Sequence, residues 1–449
     1  MPEQDLSGSP VAELGKRFFI TFLLAIVVYR LGAVVPVPGV SSGALTGFLE
    51  QDGTLGAVLA WANMFNGGAI EKASVFGLGV MPYISASIIF QLLAFSVPAL
   101  KQLQKEGEVG RRKINQYTRY ATVLICLVQA GLAAGALQAI DTDGTPVVRE
   151  PGLGFFLLTI LTVTTGSMVL LWLAEQVTKH GVGNGISVII MVGILSSFPQ
   201  GFADAFTTDN PLPTVLGLVA VFLTIIACMV VITLARRRIN LEQQRRVQGN
   251  RVYGGAQTQV PLMLNQAGVI PVIFSSPVMI ILTMGLAMLH PSVKGVLDHG
   301  TPLYRYLYAG MIIFFTYFYI SITVDLNEWA NNFKQSGFFI KGVKPGAKTV
   351  DYLRFRLIRI TFVGALSLAA VAVIPQIIGN AIGLSQATAG NILGGVGLLI
   401  VVGVSLDVIQ KVSSYLLAHQ YQGIVNQQRT GKGGGVGRAP KGPGGRKRF

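Results

Sequence analysis

The sequence predicts an all-α polytopic membrane protein of ten transmembrane helices with a short re-entrant segment, on three observations. Of its 449 residues 51% are hydrophobic and 12% charged, the balance of a chain that lies mostly in hydrocarbon. Ten windows are long and apolar enough to cross a bilayer, and each reads as helix because a lipid-facing backbone must satisfy its own hydrogen bonds. The apolar piece at residues 55–65 is about half of the roughly 20 residues that a crossing needs, so it reads as re-entrant or interfacial.

In order, the ten windows lie near residues 18–36, 74–98, 117–138, 154–174, 184–199, 213–234, 266–289, 303–323, 357–377 and 391–412. The first is interrupted near its far end by Arg30, read as snorkelling to the interface, and the fifth is short and led by glycine. Between the first and second, the stretch 64–92 (MFNGGAIEKASVFGLGVMPYISASIIFQL) passes Asn66, Gly67 and Gly68, then Glu71 and Lys72, and runs uncharged from residue 73 to residue 100. It reads as a non-spanning segment joined by a Gly-Gly hinge to a spanning helix. No cleavable leader is expected, because residues 1–15 are polar and the apolar run behind Lys16 and Arg17 lacks a small-residue cleavage site.

Ten spans put both termini on one side, and the basic residues choose it. Loop 2–3 carries Lys101, Lys105, Arg111, Arg112 and Lys113; loop 6–7 carries Arg236, Arg237, Arg238, Arg245, Arg246 and Arg251; loop 8–9 carries Lys334, Lys341, Lys344, Lys348, Arg354 and Arg356. Opposite loops hold few cations, so the positive-inside rule places both termini and these loops in the cytoplasm. The net charge of +15 exceeds what orientation requires. Its surplus is either a lipid-headgroup contact or a docking face for a polyanionic partner. The tail from residue 429, with seven basic residues, no acid and many Gly and Pro, is expected to be disordered and to meet either anionic lipid or RNA.

Chemistry-bearing residues inside the spans are few. Asp407 is the clearest intramembrane carboxylate, while Glu175 and Asp325 sit at span ends. There is no carboxylate pair, no HExxH, and no nucleophile spaced to a histidine. The glycine-rich turn at Lys179, His180, Gly181, Gly183, Asn184 and Gly185 lacks the Lys-Ser/Thr of a phosphate loop and reads as a tight helix connection. Cys126 and Cys228 lie in apolar runs and read as small hydrophobes, and the four histidines show no metal-ligand spacing. No cofactor or metal is implied. A bundle with a re-entrant segment, a hinge and large basic loops suits a conduit for something large that a partner outside the membrane drives.

Six segments carry a resemblance: MFNGGAIEKAS (64–74) with GLGVMPYISASIIFQLL (77–93), KEGEVGRRKINQYTRY (105–120), WLAEQVTKHGVGNGISVII (172–190), NRVYGGAQTQVPLMLNQAGVIPVIF (250–274) and SGFFIKGVKPGAKT (336–349). In this order, over roughly residues 15–425, they closely resemble the SecY family, the channel subunits of the bacterial protein translocase. The resemblance implies two pseudo-symmetric halves of five helices, 18–199 and 213–418, joined by an external hinge loop 200–212; the repeat itself is not legible. A cytoplasmic segment 1–17 precedes them and a disordered basic cytoplasmic tail 419–449 follows, with basic cytoplasmic loops at 235–265 and 324–356. The re-entrant piece becomes a plug, 55–72, represented by Ala62, Asn63, Met64, Phe65, Asn66, Gly67 and Gly68.

By the same resemblance an aliphatic pore ring falls on Val80, Ile84, Ile186, Ile190, Ile273 and Ile400, and a polar lateral gate on Ser85, Ser87, Gln91, Thr118 and Gln129 facing Ser275 and Ser276. Partner docking falls on Arg236, Arg237, Arg238, Arg245, Arg246, Arg251, Lys344 and Lys348. The implied function is a non-enzymatic, protein-conducting channel in the bacterial inner membrane that passes unfolded polypeptides and signal sequences. Its implied partners are SecE-like and SecG-like small subunits, the SecA motor ATPase, ribosomes with their RNA, and membrane lipids. Two departures concern docking: Lys344 stands in GVKPG where relatives carry GxRPG, losing the bidentate fork of arginine, and VDLNEWANNF replaces the usual FNP-containing start of loop 8–9. The rival readings are an ion-coupled secondary transporter using Asp407 and an intramembrane enzyme.

Overall fold

A computed structural model describes residues 10–41, 63, 66–139, 141–142, 145–206, 211–243, 246–248, 251–253, 257–289, 301–381 and 395–431. Each of the ten predicted spans coincides with a helical segment. The first comprises α1 (Pro10–Phe22), a π-helical turn (Leu23–Val28) and α2 (Tyr29–Val34). Next come α3 (Met81–Ser96), α4 (Pro98–Lys105), α5 (Glu108–Ala139), α6 (Leu153–His180), α7 (Gly185–Phe206) and α8 (Pro211–Leu234). The chain continues with α9 (Ile270–Leu289), α10 (Pro302–Thr323), α11 (Leu326–Gln335), α12 (Ala347–Ala381) and α13 (Gly395–Gly431).

By length and composition seven described helices can cross a bilayer and the broken pair α3–α4 makes an eighth, with α7 a shorter apolar helix. The break falls at Val97, whose extended backbone (ψ 115°) is what the proline at 98 imposes on its predecessor.

Two boundaries differ from expectation. The second span begins at residue 81, not 74, because the preceding stretch is a run of turns in which Gly67, Gly68 and Gly79 take φ of 61°, 81° and 58°, a region that L side chains rarely enter. At the other end, α13 continues to Gly431, into the stretch expected to be a disordered tail. Plug residues Ala62, Met64 and Phe65, the docking residue Arg245, and residues 432–449 lie outside the described residues.

The membrane part packs as a chain of neighbours: α3 on α5, α5 on α6, α6 on α7, then α7 on both α8 and α13. On the other side α9 packs on α10, α10 on α12, and α12 on α13 and α8. Helix α7 therefore joins the early and late helices at the centre. One hydrophobic cluster runs through this junction, from Ala25 and Tyr29 through Leu170, Ile194, Leu218 and Met279 to Leu399.

The basic loops are not helical alone. After a short hairpin, β1 (Asp141–Thr142) with β2 (Thr145–Pro146), strand β3 (Arg236–Gln243) lies between β6 (Gln257–Met263) and β7 (Phe338–Ile340) in an antiparallel sheet, so loops 6–7 and 8–9 are one structure. Register pairs Ile239 with Val260 and Leu241 with Ile340. Along β3 the arginines are exposed while Ile239 and Leu241 turn inward, onto Leu262, Ile340 and Leu353 with Trp329 and Phe333 around them. Pro261 is tolerated because β6 is an edge strand. A small hairpin, β4 (Arg246–Gln248) with β5 (Arg251–Tyr253), lies between β3 and β6 in the chain. Leu241→Ala removes a fully buried side chain and is expected to cost about 2–5 kcal/mol. Limited proteolysis should then cut the 236–263 region faster while the membrane helices stay resistant.

Candidate functional site

Residues 66–80 form a compact knot of turns held from several directions. Asn66 is buried, and its Nδ2 donates to the Gly77 carbonyl at 2.7 Å, closing the knot on itself. Its carbonyl accepts from the hydroxyl of Tyr29 at 2.9 Å. The Gly67 carbonyl accepts from Arg30 Nη1 at 3.3 Å and from Ser196 Oγ on α7 at 3.4 Å. Extended backbone at Val35 and Val37 bonds Val75 and Ala73, and the Tyr29 ring stacks on Phe76 at 6.3 Å. Asn63 caps the opening, its Oδ1 accepting from the amides of Ile70 and Glu71 at 3.0 and 3.1 Å.

Glycine is required where this knot meets α7. A Cβ on Gly67 would stand 2.6 Å from Ser196 Oγ and 3.1 Å from Gly193. Gly68 faces open space. The Gly-Gly pair is thus not a free joint, since one glycine is a packed contact and the other a left-handed turn. Arg30, expected to snorkel, instead donates to the backbone of the knot. It and Tyr29 follow directly on the π-helical turn Leu23–Val28.

The six residues assigned to a ring all lie in, or pack against, the one large central hydrophobic cluster. Val80 caps the start of α3 and accepts the amide of Ile84 at 3.1 Å, so the pair keeps helical spacing although Val80 precedes the helix. Ile186 and Ile190 are one turn apart on α7, whose first turn Asn184 caps through the Ile186 amide at 3.2 Å. With Ile273 of α9 and Ile400 of α13, all belong to the central cluster; Val80, Ile190 and Ile400 are buried and Ile84, Ile186 and Ile273 half-buried.

Of the residues assigned to a gate, Ser87, Gln91, Thr118 and Ser275 bond within their own helices, and Ser276 bonds both its own helix and the next. Ser87 accepts from Gln91 at 3.4 Å, and Thr118 donates to the Ile114 carbonyl at 2.9 Å. Ser275 donates to Pro271 at 2.7 Å, while Ser276 bonds Tyr308 of α10 at 3.0 Å. Ser85 and Gln129 are half-buried. Among the described residues the close packing here is α3 with α5 and α9 with α10, with no comparably extensive packing between the two pairs.

On the basic side, Arg236, Arg237 and Arg238 are exposed on β3, Lys344 is exposed between β7 and α12, and Lys348 is exposed in the first turn of α12. Arg246 and Arg251 have their backbones on the β4–β5 hairpin. The carboxylates are accounted for locally. Asp407 pairs with Lys411 at 2.7 Å in a half-exposed (i, i+4) pair, Glu175 pairs with Arg119 of α5 at 2.6 Å, and Asp325 caps α11 through the amides of Asn327 and Glu328. The turn between α6 and α7 is the tight connection expected, with Thr178 and Thr21 accepting the amides of Gly185 and Val182.

Together these features define a multi-span helical membrane protein organised around one shared apolar cluster, with a knotted re-entrant segment and a basic sheet on one side. Two solved structures share its architecture. One, described as the structure of a protein conducting channel, has TM-score 0.60 at 18% identity, covering 93% of this chain and 96% of that one. The other, Sec61 in a canine ribosome-channel complex, has TM-score 0.58 at 17% identity over the same shares. The SecY family profile matches residues 74–409. Protein translocase subunit SecY of Aquifex aeolicus is 40% identical over 425 residues, 92% of this chain and 97% of that one. The Pseudomonas aeruginosa subunit of the same name is 39% identical over 446 residues, 96% and 97% of the two chains. The chain belongs to the SecY family.

Tyr29 and Arg30 were missed at the level of sequence; the signal available was Arg30 itself, a cation at the far end of an apolar span. The double variant Tyr29→Phe/Arg30→Gln removes one neutral and one charged hydrogen bond, together about 2–4 kcal/mol. Hydrogen exchange at the amides of residues 68–75 is expected to speed up by at least about tenfold, with exchange in α6 unchanged.

Proposed function

We propose that this chain is the central subunit of a bacterial protein translocase: a passive, gated pore for unfolded secretory polypeptides, with a side exit for transmembrane segments. The observation that carries this reading is the meeting of Val80, Ile84, Ile186, Ile190, Ile273 and Ile400, from four parts of the chain, in one apolar cluster of a SecY-family fold. An apolar constriction resists ions and water by dewetting and offers a moving polypeptide no fixed polar partner. Any sequence can then slide through it.

The knot at 66–80, continuous with the segment 55–72, acts as the plug. Its tie to Arg30 and Ser196 supports a closed state held by a few hydrogen bonds, strong enough to seal and weak enough to break. The loose packing between α3–α5 and α9–α10 supports a lateral gate. A passing segment of roughly 20 apolar residues would leave through it because it gains more in lipid than in a wet pore. The exposed cations on β3 and around Lys344 are the docking face for a ribosome or a SecA-type motor, which supplies the energy. SecE-like and SecG-like subunits complete the complex. Both termini and the basic sheet face the cytoplasm, at the inner membrane, and the chain itself performs no catalysis. The transporter reading loses its coupling residue, since Asp407 already has Lys411 on a half-exposed face.

Ile84→Asn and Ile190→Asn are each expected to raise resting ion conductance in planar bilayers, and more together. Unchanged conductance in both would remove the ring from the account. Charge reversal at Lys344 and Arg246 is expected to weaken ribosome and motor binding, most at low salt, where screening is least. Equal binding by wild type and variant at low salt would return these residues to a purely topological role.

A further inference from the structure

We propose that the cleft between the start of β3 and the first turns of α12 is a binding site for one anionic phospholipid. The cleft has a volume of about 530 Å³ and brings together Arg236, Arg237, Arg356, Arg359, Ile360 and Val363. No carboxylate among the described residues lines it. On α12 the lining residues 356, 359, 360 and 363 follow the (i, i+3, i+4, i+7) spacing of one helical face, arginines first and aliphatics after. The facing wall changes in the same way: α8 is apolar to Leu234, the Ala235 amide completes its last turn by bonding Val231 at 2.9 Å, and the arginines begin at once. Since α8 packs on α12, both walls pass from apolar to cationic at one level, where hydrocarbon meets headgroups.

The arginines are prepared for an acceptor. Arg359 lies over the Phe355 ring at 4.0 Å and Arg356 over Tyr352 at 5.2 Å, stacking that fixes the guanidinium planes and leaves their N–H edges available. The guanidinium edges that line the open cleft call for an acceptor, and a phosphodiester supplies several. Toward the membrane, Val231, Leu234, Phe362, Val363 and Leu366 are exposed apolar side chains that acyl chains would cover. A water-soluble polyanion such as RNA would satisfy the arginines and leave that lower half bare. A zwitterionic headgroup would bring a cation into a lining with no acid to receive it. Arg236 and Arg237 thereby serve the lipid, and the docking face narrows to the cations farther out.

The test is native mass spectrometry of the full chain, purified in mild detergent with whatever subunits accompany it, and titrated with phosphatidylglycerol, phosphatidylcholine, inorganic phosphate or a short RNA oligonucleotide. Wild type is expected to retain one phosphatidylglycerol in preference to phosphatidylcholine, and inorganic phosphate should not displace it. Each arginine at such a surface contributes about fivefold, so Arg356→Gln/Arg359→Gln should weaken that binding about thirtyfold. Arg111→Gln/Arg112→Gln, an equal loss of charge elsewhere on the same side, should leave it unchanged. Arg356→Lys/Arg359→Lys keeps the charge and should recover part of the loss, which separates a misfolded variant from an empty site. Equal retention by wild type and the Gln pair, equal affinity for phosphatidylcholine, displacement by inorganic phosphate, or occupancy by RNA or an accompanying subunit to the exclusion of lipid would each overturn the proposal.

Discussion

A bilayer core holds no water to complete a hydrogen bond that the chain leaves open, and the departures from plain helix in this protein answer to that constraint. The knot at residues 66–80 is non-helical backbone at membrane depth, so its polar groups must be met inside the protein. Asn66 turns its amide back onto Gly77, Tyr29 and Arg30 meet the carbonyls of Asn66 and Gly67, and the extended backbone meets two more groups, the Val35 carbonyl accepting the Val75 amide and the Val37 amide donating to the Ala73 carbonyl. The same groups that make the segment affordable in the membrane also hold it in place. In the proposed plug role, sealing and solvation would be one set of bonds, and the segment would leave only when something else, water or a polypeptide, takes them over.

The central apolar cluster has a complementary role. Around it the early helices and the late helices each pack among themselves, and α7 is the element both share. The polar side chains of α3, α5, α9 and α10 assigned to the proposed gate bond within their own helices or to a near neighbour, so a seam there would open with few interactions broken. Basic loops that a topology diagram draws as separate are one antiparallel sheet on a small core of Ile239, Leu241, Leu262, Ile340 and Leu353. Under the proposed docking, a partner that grips the sheet would hold α8 and α12 together and push on the late helices as a unit.

Much of this was legible in the sequence because hydrophobic length is a strong signal, and ten apolar windows became ten helical segments. The failures have physical causes. Residues 74–80 are as apolar as a helix, and only φ angles that glycine alone adopts easily turn them into a knot. Arg30 looks locally like a snorkelling cation, since its acceptor is contributed 37 positions later in the chain. In β3 three arginines mask an alternation that rests on only Ile239 and Leu241, and its partner β7 is about a hundred residues away, so no local pattern announces the sheet. The ring residues are single aliphatics among many. Spacing within α3 and α7 placed two pairs on common faces, but joining them to Ile273 and Ile400 needed either the family pattern or the fold.

The central claim is that a polypeptide passes through the cluster where these six aliphatics meet. The direct measurement is site-specific photo-crosslinking from a secretory polypeptide stalled during transport, with the adducts mapped by mass spectrometry. Crosslinks from successive positions of the stalled chain should converge on Val80, Ile84, Ile186, Ile190, Ile273 and Ile400. Adducts confined to the lipid-facing surfaces of α5 and α8, with none at these six, would contradict the account.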